Sequence, residues 1–284
     1  MPPVEAPQLK HEVRRHLGRA VRILNALEAP DDEAVHEARK ALKRARTGLR
    51  LLRPTLEAGA YAHEKERLRG AARQLAAVRD DKVQIDALGM LIREEKDPAR
   101  RALLARLREA LRKDRRGRWR AIAAAEAPRH LASVLREAAR RVEGLETGAD
   151  GADALAEALE GLYRKARKGL KRSRRPENDE TLHEARKRVK HLAHALEMLA
   201  GTGAKGRAKK VLKRLDKAGD LLGVDHDLAV LEAQLASVKD GPAGEALRKA
   251  IDKRRGRLQK KALKRSKPVF GRKTRKLLRK LGGR

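Results

Sequence analysis

The amino-acid sequence predicts an all-α fold, and its composition, apolar spacing and internal duplication each support that prediction. Hydrophobic residues make up 40% of the 284 residues. Most of them are Ala and Leu, which pack helices well and form strands poorly. Aromatic residues account for only 1% of the chain. The apolar residues recur at the spacing of one helix face, so the predicted core is a set of amphipathic helices packed together.

The second half of the chain repeats the first. Residues 31–88 (the first copy) align with residues 178–235 (the second copy) at a constant offset of 147 without a gap, and 19 of the 58 aligned pairs are identical. Chance would give about 6 for this composition. A period this long indicates two copies of a multi-helix unit, for which two-fold pseudo-symmetry is the simplest packing.

Helix boundaries can be assigned in the same order in both copies. Capping and acidic residues precede an apolar-periodic segment at Asp31 and again at Asn178, which predicts a helix start in each copy. Pro54 and Gly201, also 147 residues apart, end those helices. Further breaks are expected at three Pro-containing dipeptides: Asp97-Pro98, Ala127-Pro128 and Gly241-Pro242.

The domain prediction follows from these boundaries. We expect a first helical bundle over residues 1–142, a glycine-rich linker over 143–153, and a second bundle over 154–284. The last 25 residues carry 12 Lys and Arg and no acidic residue. This basic tail is expected to become ordered only with a partner bound.

The charge of the chain predicts a polyanionic partner. Lys and Arg number 72 against 39 Asp and Glu, which gives a formal net charge of +33. Such a chain repels itself unless it meets nucleic acid, an anionic membrane surface or an inorganic polyanion. There is no cysteine, which excludes disulfides and thiolate chemistry. No secretory signal or membrane span is visible, so we expect a cytoplasmic protein that does not insert into membranes.

Two equivalent helices divide into an apolar face and a cationic face. In the first copy Ala38, Leu42, Ala45, Leu49 and Leu52 lie opposite a stripe of His36, Arg39, Lys40, Lys43, Thr47 and Arg50. In the second copy Val189, Leu192, Leu196 and Leu199 lie opposite His183, Arg186, Lys187, Lys190, His191 and His194. Like charges at this spacing destabilise a helix, so the stripes predict an external anion.

Three further segments show the same division and are predicted to contribute to the same site. Their cations are Arg15, Arg19 and Arg22 (with His11) near the N-terminus, Arg164, Arg167, Lys168 and Lys171 ahead of the second copy, and Lys210, Lys213, Arg214 and Lys217 within it.

The motif His36-Arg39-Lys40-Lys43, repeated as His183-Arg186-Lys187-Lys190, resembles the CHAD domain, a family named for its histidines and α-helices. The resemblance spans nearly the whole chain. It implies two four-helix bundles related by pseudo-two-fold symmetry, with a basic groove or channel between them that binds inorganic polyphosphate, and an association with polyphosphate granules. By position, the two motifs would line that groove.

The copies differ at two positions of the predicted site. Ala193 stands where the first copy has Arg46, and Glu197 stands where it has Arg50. We therefore expect Arg46 and Arg50 to strengthen the first half, and the second half to hold phosphate less tightly or to depend on His191 and His194.

Catalysis, metals and cofactors are not expected. Only Glu197 joins the histidines on their face, and the surrounding cations would repel a metal ion. Asp80 and Asp227 are interpreted as structural partners of Arg or helix caps. The sequence has no P-loop, no dinucleotide fingerprint and no E-x-E-x-K pattern of the triphosphatases often fused to this family. We therefore predict a binding protein, not an enzyme.

Two other partners are compatible with the charge. A nucleic-acid duplex could bind cationic helices without sequence recognition, although the scarcity of aromatic residues disfavours single-strand binding. A scaffold for acidic proteins or lipids is the third alternative, acting through residues 242–284, which hold 18 Lys and Arg and only two acids. The oligomeric state is left open.

Overall fold

The computed structural model describes residues 5–28, 31–124, 126–148, 151–173, 179–201, 207–236 and 241–271. The all-α prediction is confirmed, since the regular structure of these residues is entirely helical. In chain order the helices are α1 (Ala6–Asn25), α2 (Asp32–Leu52), the 3₁₀ turn Arg53–Thr55, α3 (Ala58–Glu94), α4 (Pro98–Ala124), α5 (Ala127–Glu143), α6 (Gly151–Arg172), α7 (Asp179–Gly201), α8 (Arg207–Ala236) and α9 (Gly241–Phe270).

The predicted helix boundaries are confirmed where the structure describes them, and Asn178 lies outside the described residues. The side chain of Asp31 accepts hydrogen bonds from the backbone N–H groups of Glu33 and Ala34, which caps α2. The predicted breaks coincide with the starts of α4, α5 and α9. Part of the basic tail predicted to need a partner is helical, because residues 260–270 belong to α9 and bury Val269 and Phe270; residues 272–284 lie outside the described residues.

The helices repeat along the chain as the sequence does. Shifting α2 by 147 gives residues 179–199, and α7 spans Asp179–Gly201. The same shift relates α1 to α6, α3 to α8, and α4 to α9, whereas α5 packs on α1 and has no counterpart among the described helices. Helix α5 ends at Glu143 and α6 begins at Gly151, within the segment predicted as a linker.

The main hydrophobic core is shared by both copies. It contains the apolar faces predicted for α2 and α7, including Leu42 and Leu49 from the first and Leu192 and Leu196 from the second, all nearly inaccessible to water. Helices α1, α5 and α6 and the nearer ends of α3, α8 and α9 complete it. The cationic stripes of α2 and α7 are therefore fixed relative to one another by buried apolar contacts.

A second, smaller core lies at the other end of the long helices. It joins Leu88 and Leu91 of α3 and Leu104 of α4 to α8 and α9, from which Leu228, Leu231, Leu235, Leu247 and Ile251 are buried. Helices α3 and α8 contribute to both cores, so they link the two ends of the molecule.

Helix α2 approaches its neighbours most closely at Gly48. A Cβ atom at this position would lie 2.5 Å from Cε of Met198 on α7 and 2.5 Å from Cγ2 of Val13 on α1. Only glycine allows this approach without displacing one of those side chains. The equivalent residue of the second copy is Ala195, which is fully buried.

Candidate functional site

A cavity of about 350 Å³ lies between α2, α3 and α7. We call it the interface cavity, because both copies contribute to it. Its lining residues are Lys43, Arg46, Thr47, Leu49 and Arg50 of α2, Tyr61 and Lys65 of α3, and Arg186, Lys187, Lys190, His191 and His194 of α7. No carboxylate is found among these described lining residues. The cavity therefore attracts anions and carries almost no negative charge of its own.

One contact across the cavity joins Arg50 and His191. Nη1 of Arg50 lies 2.8 Å from Nδ1 of His191. A guanidinium can only donate, so Nδ1 accepts and the ring is neutral. Burial, reinforced by the charges of Arg50, His194 and Arg46, lowers the pKa of His191 to about 3. The ring can gain a proton only if an anion offsets those charges.

Lys190 and Arg46 show the same cationic crowding. Burial lowers the pKa of Lys190, and the charge of Arg186 adds to that effect. The aliphatic chain of Lys190 lies along Gly219 of α8, where a Cβ atom would come within 3.2 Å of it. Burial also lowers the pKa of Arg46, and repulsion from Arg50 and Arg69 lowers it in the same direction by smaller amounts. Each of these groups would be stabilised by a bound anion.

Three of the four residues of the α2 motif lie outside the cavity lining. The guanidinium of Arg39 donates to the carbonyl oxygens of Leu75 and Ala76 on α3, at 3.3 and 3.2 Å. Nζ of Lys40 lies 2.6 Å from the carboxylate of Glu37. His36 is half-buried on the same helix and does not line the cavity. Arg39 thus ties α2 to α3 in this structure, and a ligand contact for these residues stays a prediction.

In the second motif only His183 lies outside the cavity lining. His183 points to α8, where its Nδ1 lies 3.1 Å from Nδ1 of His226. Burial lowers the pKa of His183, and the charges of Lys187 and Arg186 reinforce the shift. Lys187 lines the cavity while its Nζ also contacts Glu184 at 2.9 Å. The Lys187–Glu184 pair is the second-copy equivalent of the Lys40–Glu37 pair.

The other predicted stripes are on the surface and do not line the interface cavity. On α1, Arg15 pairs with Glu12 and Arg19 pairs with Glu37, whereas Arg22 is exposed. The remaining predicted cations are exposed on α6 and α8: Arg164, Arg167, Lys168, Lys171, Lys210, Lys213, Arg214 and Lys217. Contact between these residues and a ligand stays a prediction.

Beyond the cavity, α2 and α7 are joined by an ion pair. The guanidinium of Arg44 donates to both carboxylate oxygens of Glu197, at 2.9 and 2.8 Å, and Nδ1 of His194 lies 3.3 Å from the same carboxylate. Burial alone would raise the pKa of Glu197, but these hydrogen bonds lower it to about 2. Glu197 is therefore ionised, and its carboxylate already engages the side chains of Arg44 and His194.

Comparison with known proteins places the chain in a family. A model of the CHAD domain matches residues 9–236. The chain belongs to the CHAD domain family. Its fold is similar to that of PptA from Streptomyces chartreusis, with a TM-score of 0.69 at 16% identity, covering 95% of this chain and 100% of that one. It is also similar to the CHAD domain from the plant Ricinus communis, with a TM-score of 0.60 at 18% identity, covering 99% and 92%. No curated protein matches the sequence.

Several residues at the site of this CHAD domain were not predicted. Lys65 and Tyr61 enter the cavity from α3, whose cations the stripe analysis did not include, although Lys65, Arg69 and Arg73 recur at the i, i+4 spacing of one helix face. Glu37 and Glu184 were also missed. Their identity in the two copies, three residues before a lysine each time, was the available signal.

The described residues give no sign of a metal site or a membrane span in this CHAD domain. No group of three or more His, Asp or Glu side chains in the described parts is arranged to hold a metal ion. None of the described helices is long and apolar enough to cross a bilayer. Asp80 and Asp227 are interpreted from the sequence as structural partners of Arg or helix caps. The charge of Asp227 raises the pKa of Lys190, and the side chain of Asp80 lies outside those described.

Proposed function

We propose that this CHAD domain binds inorganic polyphosphate in the interface cavity. One observation carries the proposal: two helices from the two copies direct cationic and imidazole side chains into one cavity whose described lining holds no carboxylate. The family resemblance of the two motifs implies the same ligand class. Association with polyphosphate granules is the expected cellular consequence.

The energetics favour a linear polyanion. Burial and mutual repulsion already lower the pKa values of Lys190, Arg46 and His191 in the absence of ligand. A chain of phosphates would relieve that repulsion and release counterions, and the shared core already fixes the backbones of α2 and α7, so that only side chains must be ordered on binding. A chain without bases can thread between the helices. A nucleic-acid duplex would have to remain outside on the exposed cations of α6 and α8.

Calorimetry with medium-length polyphosphate tests the proposal. Replacing Lys43, Lys65 and Lys187 by Gln removes three charges from the cavity but no buried apolar group, so the fold should be retained. The slope of log affinity against log salt concentration should become shallower by about 2 to 3, at roughly 0.7 to 0.9 per phosphate contact.

A matched control variant removes the same charge elsewhere. Arg106, Lys113 and Arg120 are exposed on α4 and do not line the cavity. Their replacement by Gln should leave the salt slope near that of the unaltered protein. Equal losses in both variants would show that binding depends on net charge alone, and a duplex DNA of equal charge binding as tightly would favour nucleic acid instead.

We also propose binding without hydrolysis. Phosphoanhydride cleavage generally uses metal ions held by carboxylates, and the cavity is lined by cations. Long incubation of the protein with polyphosphate and Mg²⁺ should release no orthophosphate above the rate without protein. Catalytic release that is lost on replacing His191 and His194 by Gln would overturn this part of the proposal.

A further inference from the structure

The α2–α7 interface has two ends that correspond through the repeat. Arg50 contacts His191 at one end, and Arg44 contacts Glu197 at the other. Adding 147 to Arg50 gives Glu197, and subtracting 147 from His191 gives Arg44. The shift of 147 residues therefore converts the Arg50–His191 pair of positions into the Glu197–Arg44 pair of positions. The two ends occupy equivalent places but differ in their chemistry.

The Arg50–His191 end presents only donors or cationic groups to a ligand. At the other end, the carboxylate of Glu197 accepts hydrogen bonds from Nε and Nη2 of Arg44 and lies beside His194. A carboxylate held by a guanidinium fork has the geometry with which Arg holds a phosphate group. Glu197 thus occupies the donors that a phosphate would otherwise engage.

Helix α8 adds further negative charge on the Glu197 side. Asp216 and Asp220 stand where α3 of the first copy has Arg69 and Arg73. Burial raises the pKa of Asp216, and the carboxylates of Glu197 and Asp220 raise it further, which shows that these acids share one region. Nζ of Lys190 lies 3.9 Å from Asp220, at the border between this region and the cavity.

We propose that Glu197 closes one end of the polyphosphate site and so limits how many phosphate groups the α2–α7 interface engages. This inference rests on the proposed function. Arg44 and Arg50 are six residues apart, about 9 Å along the helix axis. A short polyphosphate is held in the interface cavity, which Lys43 and Arg50 of α2 both line, and Glu197 prevents a longer chain from leaving the cavity to engage Arg44.

Replacing Glu197 by Gln tests this directly, with tripolyphosphate and a long polyphosphate as the two ligands. The long chain should bind about tenfold more tightly, because one charge repulsion is removed and Arg44 becomes accessible. Its salt slope should steepen by about 0.7 to 0.9 for each additional phosphate engaged. Affinity for tripolyphosphate should stay within about twofold of that of the unaltered protein, because the short ligand binds at the Arg50–His191 end, which the substitution does not change. A twofold change corresponds to under about half a kcal/mol.

Glu197→Ala keeps the inference testable if E197Q does not fold, because it removes the same carboxylate from Arg44 and introduces a good helix former on α7. Asp114→Asn on α4 is the control for a general change in net charge. Equal tightening of both ligands, or the same gain in D114N, would overturn the inference. So would unchanged long-chain binding in a folded E197Q or E197A. Failure of the unaltered protein to bind either ligand would instead refute the proposed function.

Discussion

At the scale of single residues, charge and burial decide the protonation of the histidines. His183 does not line the cavity, and burial lowers its pKa from the ordinary value of an imidazole, so its contact with a ligand stays a prediction. His191 lies against Arg50 inside the cavity and is neutral without ligand. It is therefore the imidazole whose proton occupancy a bound polyanion would change most.

Polyphosphate binding should take up a proton at His191. The anion raises the pKa of the ring above its value of about 3 in the ligand-free protein. Affinity for polyphosphate should therefore increase as pH falls through the pKa of the ring in the complex. Calorimetry in two buffers of different ionisation enthalpy measures the uptake. His191→Gln should reduce it, whereas exposed His130→Gln should not. Zero uptake between pH 8 and 5 would contradict this prediction.

His16 should make the ligand-free protein less stable in acid. Burial, together with the charges of Arg15 and Arg44, lowers its pKa to about 4. From about pH 6.5 down to 4, the unfolded chain takes up a proton that the native state does not. The free energy of unfolding should fall by up to about 1.4 kcal/mol per pH unit. Denaturation of H16Q at pH 7 and 5 should show a smaller difference than the unaltered protein.

At the scale of helices, the sequence predicted where elements begin and which face is buried, because caps and apolar spacing are local properties. It could not predict which cations share a cavity. Helical angle places Arg39 beside Lys43, yet Arg39 bonds to α3 carbonyls and Lys43 lines the cavity. Lys65 was missed for the same reason. The neighbour opposite a stripe is fixed by packing between distant segments, which one helix does not encode.

Gly48→Ala should destabilise the helix crossing that positions the site. The added methyl meets Met198 and Val13, so we expect a loss of about 1 to 3 kcal/mol despite the better helix propensity of alanine. Gly18→Ala on α1 is the matched control, because no atom lies within 4 Å of its Cβ position. It should stabilise by about 0.5 to 1 kcal/mol. Thermal melts compare the two, and equal effects would contradict the close-approach argument.

At the scale of the whole molecule, the repeat and the all-α class followed from the sequence, but the sharing of one core by both copies did not. The apolar face of a helix shows which residues are buried, but it does not show which other helix covers them. Helices α3 and α8 also run from the main core into the second one, through Leu75 and Leu88 in α3 and through Leu222 and Leu235 in α8. Unfolding one end therefore exposes apolar surface at the other.

The two cores should unfold together. Trp119, the single tryptophan, is buried on α4 and reports on that helix, whereas far-ultraviolet circular dichroism reports on all helices. Transitions measured by the two signals in urea should coincide, as expected for one cooperative unit. A tryptophan transition at clearly lower urea concentration would show that the end containing α4 unfolds separately.

The shared core bears on how such a chain could arise by duplication. A lone copy would expose the part of α2 that packs on α7, and a homodimer of two such copies would cover it. In a homodimer every contact occurs twice, and a mutation at position 50 would alter both ends of the interface at once. Covalent fusion removed that constraint. Arg50 and Glu197 now differ within one molecule, so one end could keep its affinity for anions while the other acquired a carboxylate of its own.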